Sequence, residues 1–135
     1  MTDTPIPTIS DIADAAGETV EVLQQTIQRT GPHGRIALRL IHLNLLDLSV
    51  LARTLGTEVD ATKRAQTLEE MDRRVKGLTA NINAGINTLT TTSGISEAQH
   101  AGVLDAATKA QRTSELLATF ITNTLAQQRR RKEDV

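Results

Sequence analysis

The chain has no cysteine, tryptophan or tyrosine, and Phe120 is its one aromatic residue. Without cysteine it can form neither disulfides nor zinc–thiolate sites, and it has no thiolate for nucleophilic or redox catalysis. Large aromatic side chains usually anchor small-molecule pockets, nucleic-acid bases and interface hot spots, so their near absence argues against all three kinds of site. Any core has to be built from aliphatic side chains.

Proline and long apolar runs are also scarce. The three prolines are Pro5, Pro7 and Pro32, so none interrupts a helix after position 32. No segment approaches the roughly 18 uncharged apolar residues of a membrane span, and residues 1–7 lack the basic and apolar parts of a secretory signal. These features predict a soluble, cytoplasmic protein.

Charge is distributed unevenly, although the formal net charge is only -1. Residues 1–28 contain five acidic residues and no lysine or arginine, whereas the chain ends in the basic run Arg129, Arg130, Arg131 and Lys132. An acidic N-terminal segment and a basic C-terminal end could favour head-to-tail association, and the basic end could contact an anionic partner.

Apolar residues recur at intervals of three and four along four segments, which predicts an all-α protein. The helices are expected at about 9–30, 34–55, 58–91 and 97–131. The first two would form one hairpin and the last two a long antiparallel, coiled-coil-like pair, which gives a four-helix bundle or two packed helical hairpins. Residues 9–131 then form a single helical domain between flexible ends at 1–8 and 132–135.

Local signals mark the ends of the predicted helices. Thr8 or Ser10 serves as the first N-cap, and the Gly31-Pro32 pair ends the first helix. Ser96 and Gln99 form a capping box that starts the fourth helix.

The third helix combines a narrow heptad seam with an end that forms helix poorly. Its seam consists of Ala61, Leu68, Met71, Val75, Leu78, Ile82 and Leu89. Residues 81–92 are rich in Asn, Gly and Thr, which are weak helix formers. The sequence therefore leaves open whether this helix is continuous through Gly85.

The second helix is apolar on nearly its whole circumference. One series consists of Leu38, Ile41, Leu45, Leu48 and Leu55, and another of Ile36, Leu40, Leu43, Leu46 and Val50. Because each helix of a simple four-helix bundle keeps one face in water, part of this surface is expected to serve another chain. The candidate interface residues are Leu38, Ile41, Leu45, Leu48 and Val50.

The polar residues form no recognisable catalytic or metal-binding pattern. Glu97 and His100 have the Glu-x-x-His spacing of di-iron bundles, but such sites need a second pair of this kind. The acidic residues at 69, 70 and 72 are followed directly by basic ones, as on a solvated helix face. The glycine-bearing segment 31–35 follows a helix rather than a strand and matches no phosphate-binding motif. We expect no enzyme activity, metal, cofactor or small-molecule ligand.

Two functional hypotheses follow. The first is a non-enzymatic helical assembly or adaptor protein that self-associates or docks partner helices in a larger complex. No membrane is expected among its partners. The alternative is a nucleic-acid-associated regulator, since residues 12–17 resemble the start of a helix-turn-helix module and the run from Arg129 to Lys132 is a candidate anion contact. The would-be recognition helix, however, carries Glu18 and Glu21, which disfavours contact with phosphates.

Overall fold

The computed structural model describes the backbone of residues 7–91 and 96–133, and the side chains of these residues except 33 and 131–133. These residues form three helical segments: α1 (Ile9–Thr57), α2 (Ala61–Thr91) and α3 (Glu97–Glu133). A bend at Gly31 divides α1 into two arms, α1a (residues 9–30) and α1b (residues 32–57). All three segments pack against one another, so the predicted all-α, four-helix fold is confirmed.

The chain reverses direction at a single glycine. Gly31 has φ 64° and ψ -141°, a combination that residues with a Cβ rarely adopt. Pro32 follows at the start of α1b, where its missing N–H costs no helical hydrogen bond. The two arms fold back on each other, so that Ile9 lies beside Gly56 at their far ends. The predicted break is confirmed, but it occupies one residue rather than the three left between the expected helices.

Reciprocal side-chain hydrogen bonds cap α1 and α3. The hydroxyl of Thr8 accepts from the N–H of Asp11 (3.1 Å), and the N–H of Thr8 donates to the Asp11 carboxylate (2.9 Å). Ser96 and Gln99 form the predicted capping box, with hydrogen bonds of 3.1 and 3.3 Å. Of the two N-caps considered for the first helix, Thr8 is therefore the one used.

The start of α2 differs from the sequence-based expectation. α2 begins at Ala61, three residues later than expected, because the carboxylate of Asp60 accepts from the N–H of Lys63 (3.0 Å) and caps the helix there. Arg64 then reaches back and donates to the carbonyl of Leu55 (2.8 Å). Its guanidinium thereby satisfies the C-terminal end of α1b, where helix carbonyls carry partial negative charge.

The far ends of the chain are only partly described. α3 continues to Glu133, two residues beyond its expected end. Two segments, residues 1–8 and 132–135, are predicted to be flexible. Within them, Thr8 caps α1 and residues 132–133 belong to α3, and most of the remaining residues lie outside the described part of the chain. Residues 92–95, between the predicted third and fourth helices, lie outside the described residues as well.

The core is aliphatic, and in α2 it follows the predicted heptad seam. Its main residues are Ile12, Ala16 and Leu23 of α1a; Leu38, Ile41, Leu45, Leu48 and Leu55 of α1b; Leu68, Met71, Val75, Leu78, Ile82 and Leu89 of α2; and Val103, Ala107, Ala110, Leu117 and Ile121 of α3. Within the seam predicted for the third helix, Ala61 is the exception, since it is exposed. The alanines of α3 allow its neighbours to approach closely.

α2 is continuous through Gly85, which the sequence left open. Gly85 is buried against α1b: a Cβ at this position would overlap the carbonyl oxygen of Ala37 and lie 3.3 Å from Cδ1 of Ile41. Packing against α1b thus stabilises a segment whose own residues are weak helix formers.

Two hydrogen bonds between hydroxyl groups join the helices inside the bundle. Thr19 of α1a and Thr113 of α3 are 2.7 Å apart, and Thr79 of α2 and Ser114 of α3 are 3.2 Å apart. Because positions 113 and 114 are adjacent, both bonds lie at one level of α3 and favour one register of its neighbours. No buried side-chain nitrogen or oxygen among the described residues lacks a hydrogen-bond partner.

Replacing Gly31 by alanine is expected to destabilise the protein by about 1–3 kcal/mol, because a Cβ disfavours its positive φ. Urea unfolding followed by far-ultraviolet circular dichroism measures the change. Gly17→Ala in α1a is the matched control: nothing lies within 4 Å of the added methyl group, and the better helix former should stabilise by about 0.5–1 kcal/mol. Equal stability of Gly31→Ala and the wild type would contradict the proposed role of the bend.

Gly85→Ala is expected to destabilise by about 1–3 kcal/mol, since the added methyl group collides with the backbone of α1b. Gly77→Ala, in the same helix, provides the contrast. There the nearest atom to a Cβ belongs to the side-chain amide of Asn44, at 3.7 Å, so this substitution should be neutral or stabilising. If both variants unfold at the same urea concentration, the close approach at Gly85 is not a determinant of stability.

Candidate interaction surface

The inward side of α1b belongs to the core of the monomer. Leu38, Ile41, Leu45 and Leu48 are fully buried by the chain's own helices. The sequence-based prediction named these four as interface residues; the structure places them in the core of the monomer, where such enclosed side chains are not accessible to a second chain. Val50, the fifth candidate, is 54% exposed and stays on the surface.

A row of large aliphatic side chains lies on the outward side of α1b. This outer row consists of Ile36, Leu40, Leu43, Leu46 and Val50, whose exposed fractions are 68, 57, 43, 42 and 54%. Elsewhere in the described part of the chain, the exposed large apolar residues are Val59 and Leu104, which lie on other elements. Exposed aliphatic surface is thus concentrated on α1b.

The geometry of the outer row suits contact with another helix. It spans residues 36–50, which is about 21 Å at ~1.5 Å per residue. Spacings of four, three, three and four residues keep the side chains on one face. Because the opposite face of α1b is anchored in the core, the row is presented on a rigid element. Patches of this kind on a polar surface are typical of protein–protein interaction sites.

One flank of the outer row is basic. Arg35, Arg39 and His42 line an open groove of about 480 Å³ between α1a and α1b, together with Ile27 and Leu43. Both arginines are exposed. Within the described residues Arg39 makes no ion pair, so its guanidinium is available to an anionic group of a partner.

The opposite flank is held to α2 by ion pairs. Arg74 of α2 donates to the carboxylates of Asp47 on α1b (2.8 Å) and of Glu70 (2.9 Å), and Arg73 also pairs with Glu70. The hydrogen bond from Arg73, followed by that from Arg74, lowers the pKa of Glu70 below its usual value. The hydrogen bonds to Glu70 in turn raise the pKa of both arginines. Of the acidic residues predicted to lie on a solvated helix face, Glu70 pairs with both arginines, Asp72 pairs with Lys76 (3.1 Å), and Glu69 is exposed.

Amide contacts reinforce this flank. With its oxygen turned towards α2, the Asn44 amide accepts from Nδ2 of Asn81 (2.9 Å) and from the N–H of Leu78 (3.2 Å), while its nitrogen donates to the carbonyl of Leu40 (3.2 Å). The edge of the outer row that faces α2 is therefore fixed by polar contacts within the monomer.

Two further grooves on the described surface are open. One of about 500 Å³ between α1a and α3 is lined by charges of both signs, which are Glu18, Asp105, Lys109 and Arg112. Another of about 580 Å³ beside Gly56 is mostly apolar. No group of three histidine, aspartate or glutamate side chains among the described residues is placed to hold a metal ion.

The fold does not support the helix-turn-helix resemblance of residues 12–17. α1a continues without a break through Gly17 as far as Gly31, whereas such a module needs a turn after its first helix. The sequence pattern is produced here by small residues inside one long helix.

The basic end of α3 is partly described. Arg129 and Arg130 are exposed, and the side chains of Arg131 and Lys132 lie outside the described residues. Cationic side chains at this end complement the partial negative charge of the helix C-terminus. Contact with nucleic acid or another anion at this end stays a prediction.

Comparisons with protein-family models, curated proteins and solved structures give no match for this chain. Within the described residues, no helix combines the length and the apolar character that crossing a membrane requires. Function is therefore inferred from the surface of the protein itself.

Both apolar series of α1b are visible in the sequence, and the predicted interface residues lie mainly in the inner one. The signal that distinguishes them is the position of charge. Arg39 and Asp47 lie four residues before and after Leu43, and therefore on the face of the outer row. A face that carries charged residues is turned towards solvent, so this pattern would have assigned the outer row to the surface.

The lowered pKa of Glu70 predicts how stability depends on pH. The pKa of Glu70 is lower in the folded state than in the unfolded state, where it is about 4.3. The resulting stabilisation is complete at pH values above the unfolded-state pKa, and it is lost as the pH falls through the folded-state pKa. We expect the wild type to be slightly more stable than Glu70→Gln at neutral pH, and this difference to shrink below about pH 4. Urea midpoints measured over a pH series test this.

Glu69→Gln is the control for this series, because Glu69 is exposed and forms no ion pair in the described part of the chain. Its effect on the midpoint should be smaller at neutral pH. A difference between wild type and Glu70→Gln that is the same at every pH would rule out the ion pairs as its cause.

Proposed function

We propose that this protein is a non-enzymatic helical assembly protein that associates with itself, or with a helix of a partner, through the outer row of α1b. The observation that carries the proposal is the exposure of five aligned aliphatic side chains on a helix whose other face is the core of the bundle. Leaving such surface in water is unfavourable, so a complementary apolar surface is expected to cover it.

The extent of the outer row sets the expected affinity. Completing the burial of five half-exposed side chains on each of two copies contributes on the order of 10 kcal/mol, at about 1 kcal/mol each. Association costs about 4–15 kcal/mol in lost translational, rotational and side-chain freedom. The balance predicts a reversible complex that depends on concentration rather than a permanent one.

The shape of the surface favours a helix as the contacting element. Aliphatic side chains spaced at three and four residues form ridges that fit the grooves of another helix. Recognition of this kind needs a few anchors on one face and no deep pocket. The open grooves of the described surface and its ion-paired carboxylates support a role in binding rather than in catalysis.

Light scattering coupled to size exclusion tests the proposal, read by refractive index because the chain lacks tryptophan and tyrosine. We expect the mass of the wild type to rise with concentration. Leu43→Asp should abolish this rise and stay folded, because Leu43 is 43% exposed at the centre of the row. Leu104→Asp is the matched control, since Leu104 is a 38% exposed leucine of α3, and it should associate like the wild type.

Leu45→Asp distinguishes the surface of α1b from its core. The sequence alone predicts that this substitution unfolds the protein or abolishes self-association; since Leu45 is fully buried, we expect unfolding. Circular dichroism separates the two results. A wild type that is monomeric at every concentration would contradict self-association, and unchanged association of Leu43→Asp would exclude the outer row as the interface.

A further inference from the structure

The outer row is symmetric about Leu43. Its apolar members pair as Ile36 with Val50 and Leu40 with Leu46, which lie seven and three residues to either side of Leu43. The charged residues of this face follow the same rule: Arg39 and Asp47 lie four residues to either side and carry opposite charges. The face is therefore self-complementary when one copy is reversed along the helix axis.

This pattern matches what two-fold symmetry requires. In an interface between identical surfaces every contact occurs twice, because residue i of each copy meets residue j of the other. When the second copy runs antiparallel and is centred on Leu43, each member of the outer row comes to the level of another member. Arg39 comes to the level of Asp47, so a cation meets an anion on both sides of the axis.

Parallel pairing in register lacks this complementarity. Each residue then comes to the level of its own copy, so that Arg39 faces Arg39 and Asp47 faces Asp47, and like charges disfavour the contact. The structure leaves both groups accessible for the antiparallel contact. Arg39 is exposed, and the Asp47 side chain is 53% exposed beside Arg74, so its carboxylate can accept a further hydrogen bond.

The wider charge distribution of the α1 hairpin supports the same orientation. The end away from the bend carries exposed acidic residues on α1a, which are Asp11, Asp14, Glu18 and Glu21. The end near the bend carries exposed basic residues, which are Arg29, Arg35 and Arg39. Arg53, at the far end, is an exception. An antiparallel second copy brings the acidic end of one hairpin to the basic end of the other, whereas a parallel copy aligns acid with acid.

We infer that the protein forms an antiparallel homodimer in which two α1b helices pair across a two-fold axis at Leu43, with Arg39 of each copy beside Asp47 of the other. The inference rests on the proposed function, since it needs the outer row to be the interface. It adds the identity of the partner, a second copy of this chain, and the orientation of that partner.

Single-cysteine cross-linking tests the orientation directly, because the chain has no cysteine of its own. Ile36→Cys and Val50→Cys chains carrying different affinity tags are mixed at a concentration at which the wild type associates, and are treated with a short bismaleimide. We expect the product that joins position 36 to position 50, and little product when either variant is treated alone. Leu104→Cys, on α3, is the control and should give none.

The outcomes separate this inference from the proposed function. Products joining 36 to 36 and 50 to 50 would show parallel pairing and overturn the inference, while leaving the outer row as the interface. If the wild type associates but neither kind of product forms, the interface lies elsewhere and the inference is overturned. If the wild type does not associate at any concentration, self-association itself fails.

A charge substitution gives an independent test. In the antiparallel dimer, Arg39→Glu places a glutamate beside Asp47 at two symmetric positions, so we expect the Kd of the dimer to rise about tenfold or more. Arg112→Glu, an exposed arginine of α3, is the matched control and should leave the Kd unchanged. In a parallel dimer Arg39→Glu exchanges one like-charge pair for another. An unchanged Kd for this variant would therefore overturn the inference.

Discussion

The arrangement of the helices depends on the reversal of α1 at Gly31. A straight helix of the 49 residues in α1 would be about 74 Å long at ~1.5 Å per residue, too long for the helices beside it to cover. One residue at positive φ converts it into two arms that pack against each other and against α2 and α3. Arg64 completes the far end of α1b, so specific local interactions define both ends of this helix.

The scarcity of aromatic residues has a structural counterpart in the close approach of the helices. Bulky rings bury much surface across a wide gap, whereas small residues bury surface by bringing backbones together. Gly85 against Ala37 is such a contact. Between α1a and α3, the hydroxyls of Thr19 and Thr113 are close enough to form a hydrogen bond, so these polar side chains are paired inside the core.

The two faces of α1b lie in different environments: the inner face packs in the core, and the outer face carries the proposed interface. The inner face supplies leucine and isoleucine side chains that are fully enclosed by the monomer, and the outer row exposes a second set of the same kind. The ion pair between Asp47 and Arg74 lies at the boundary, where it ties α1b to α2 and leaves the carboxylate accessible. Under the proposed function, stability and association depend on different residues of α1b that are only two positions apart, such as Leu45 and Leu43.

The sequence by itself determined the helical class, the number of helices and several of their ends. A cap at Thr8 or Ser10, the capping box at Ser96, the break at Gly31 and the seam of α2 follow from short-range spacing, because caps and helical periodicity involve residues three or four apart. Such local signals can be read without knowing where any other helix lies.

Only the tertiary structure decided which apolar series of α1b faces inward and whether α2 continues through Gly85. Both series have helical spacing and similar side chains, so the choice depends on where α1a, α2 and α3 lie around α1b. The segment around Gly85 has weak intrinsic helix propensity, and its packing against Ala37 and Ile41 outweighs that weakness. Burial depends on contacts between residues far apart in the chain. Short-range spacing therefore did not show that the inner series is enclosed and that the outer row is exposed.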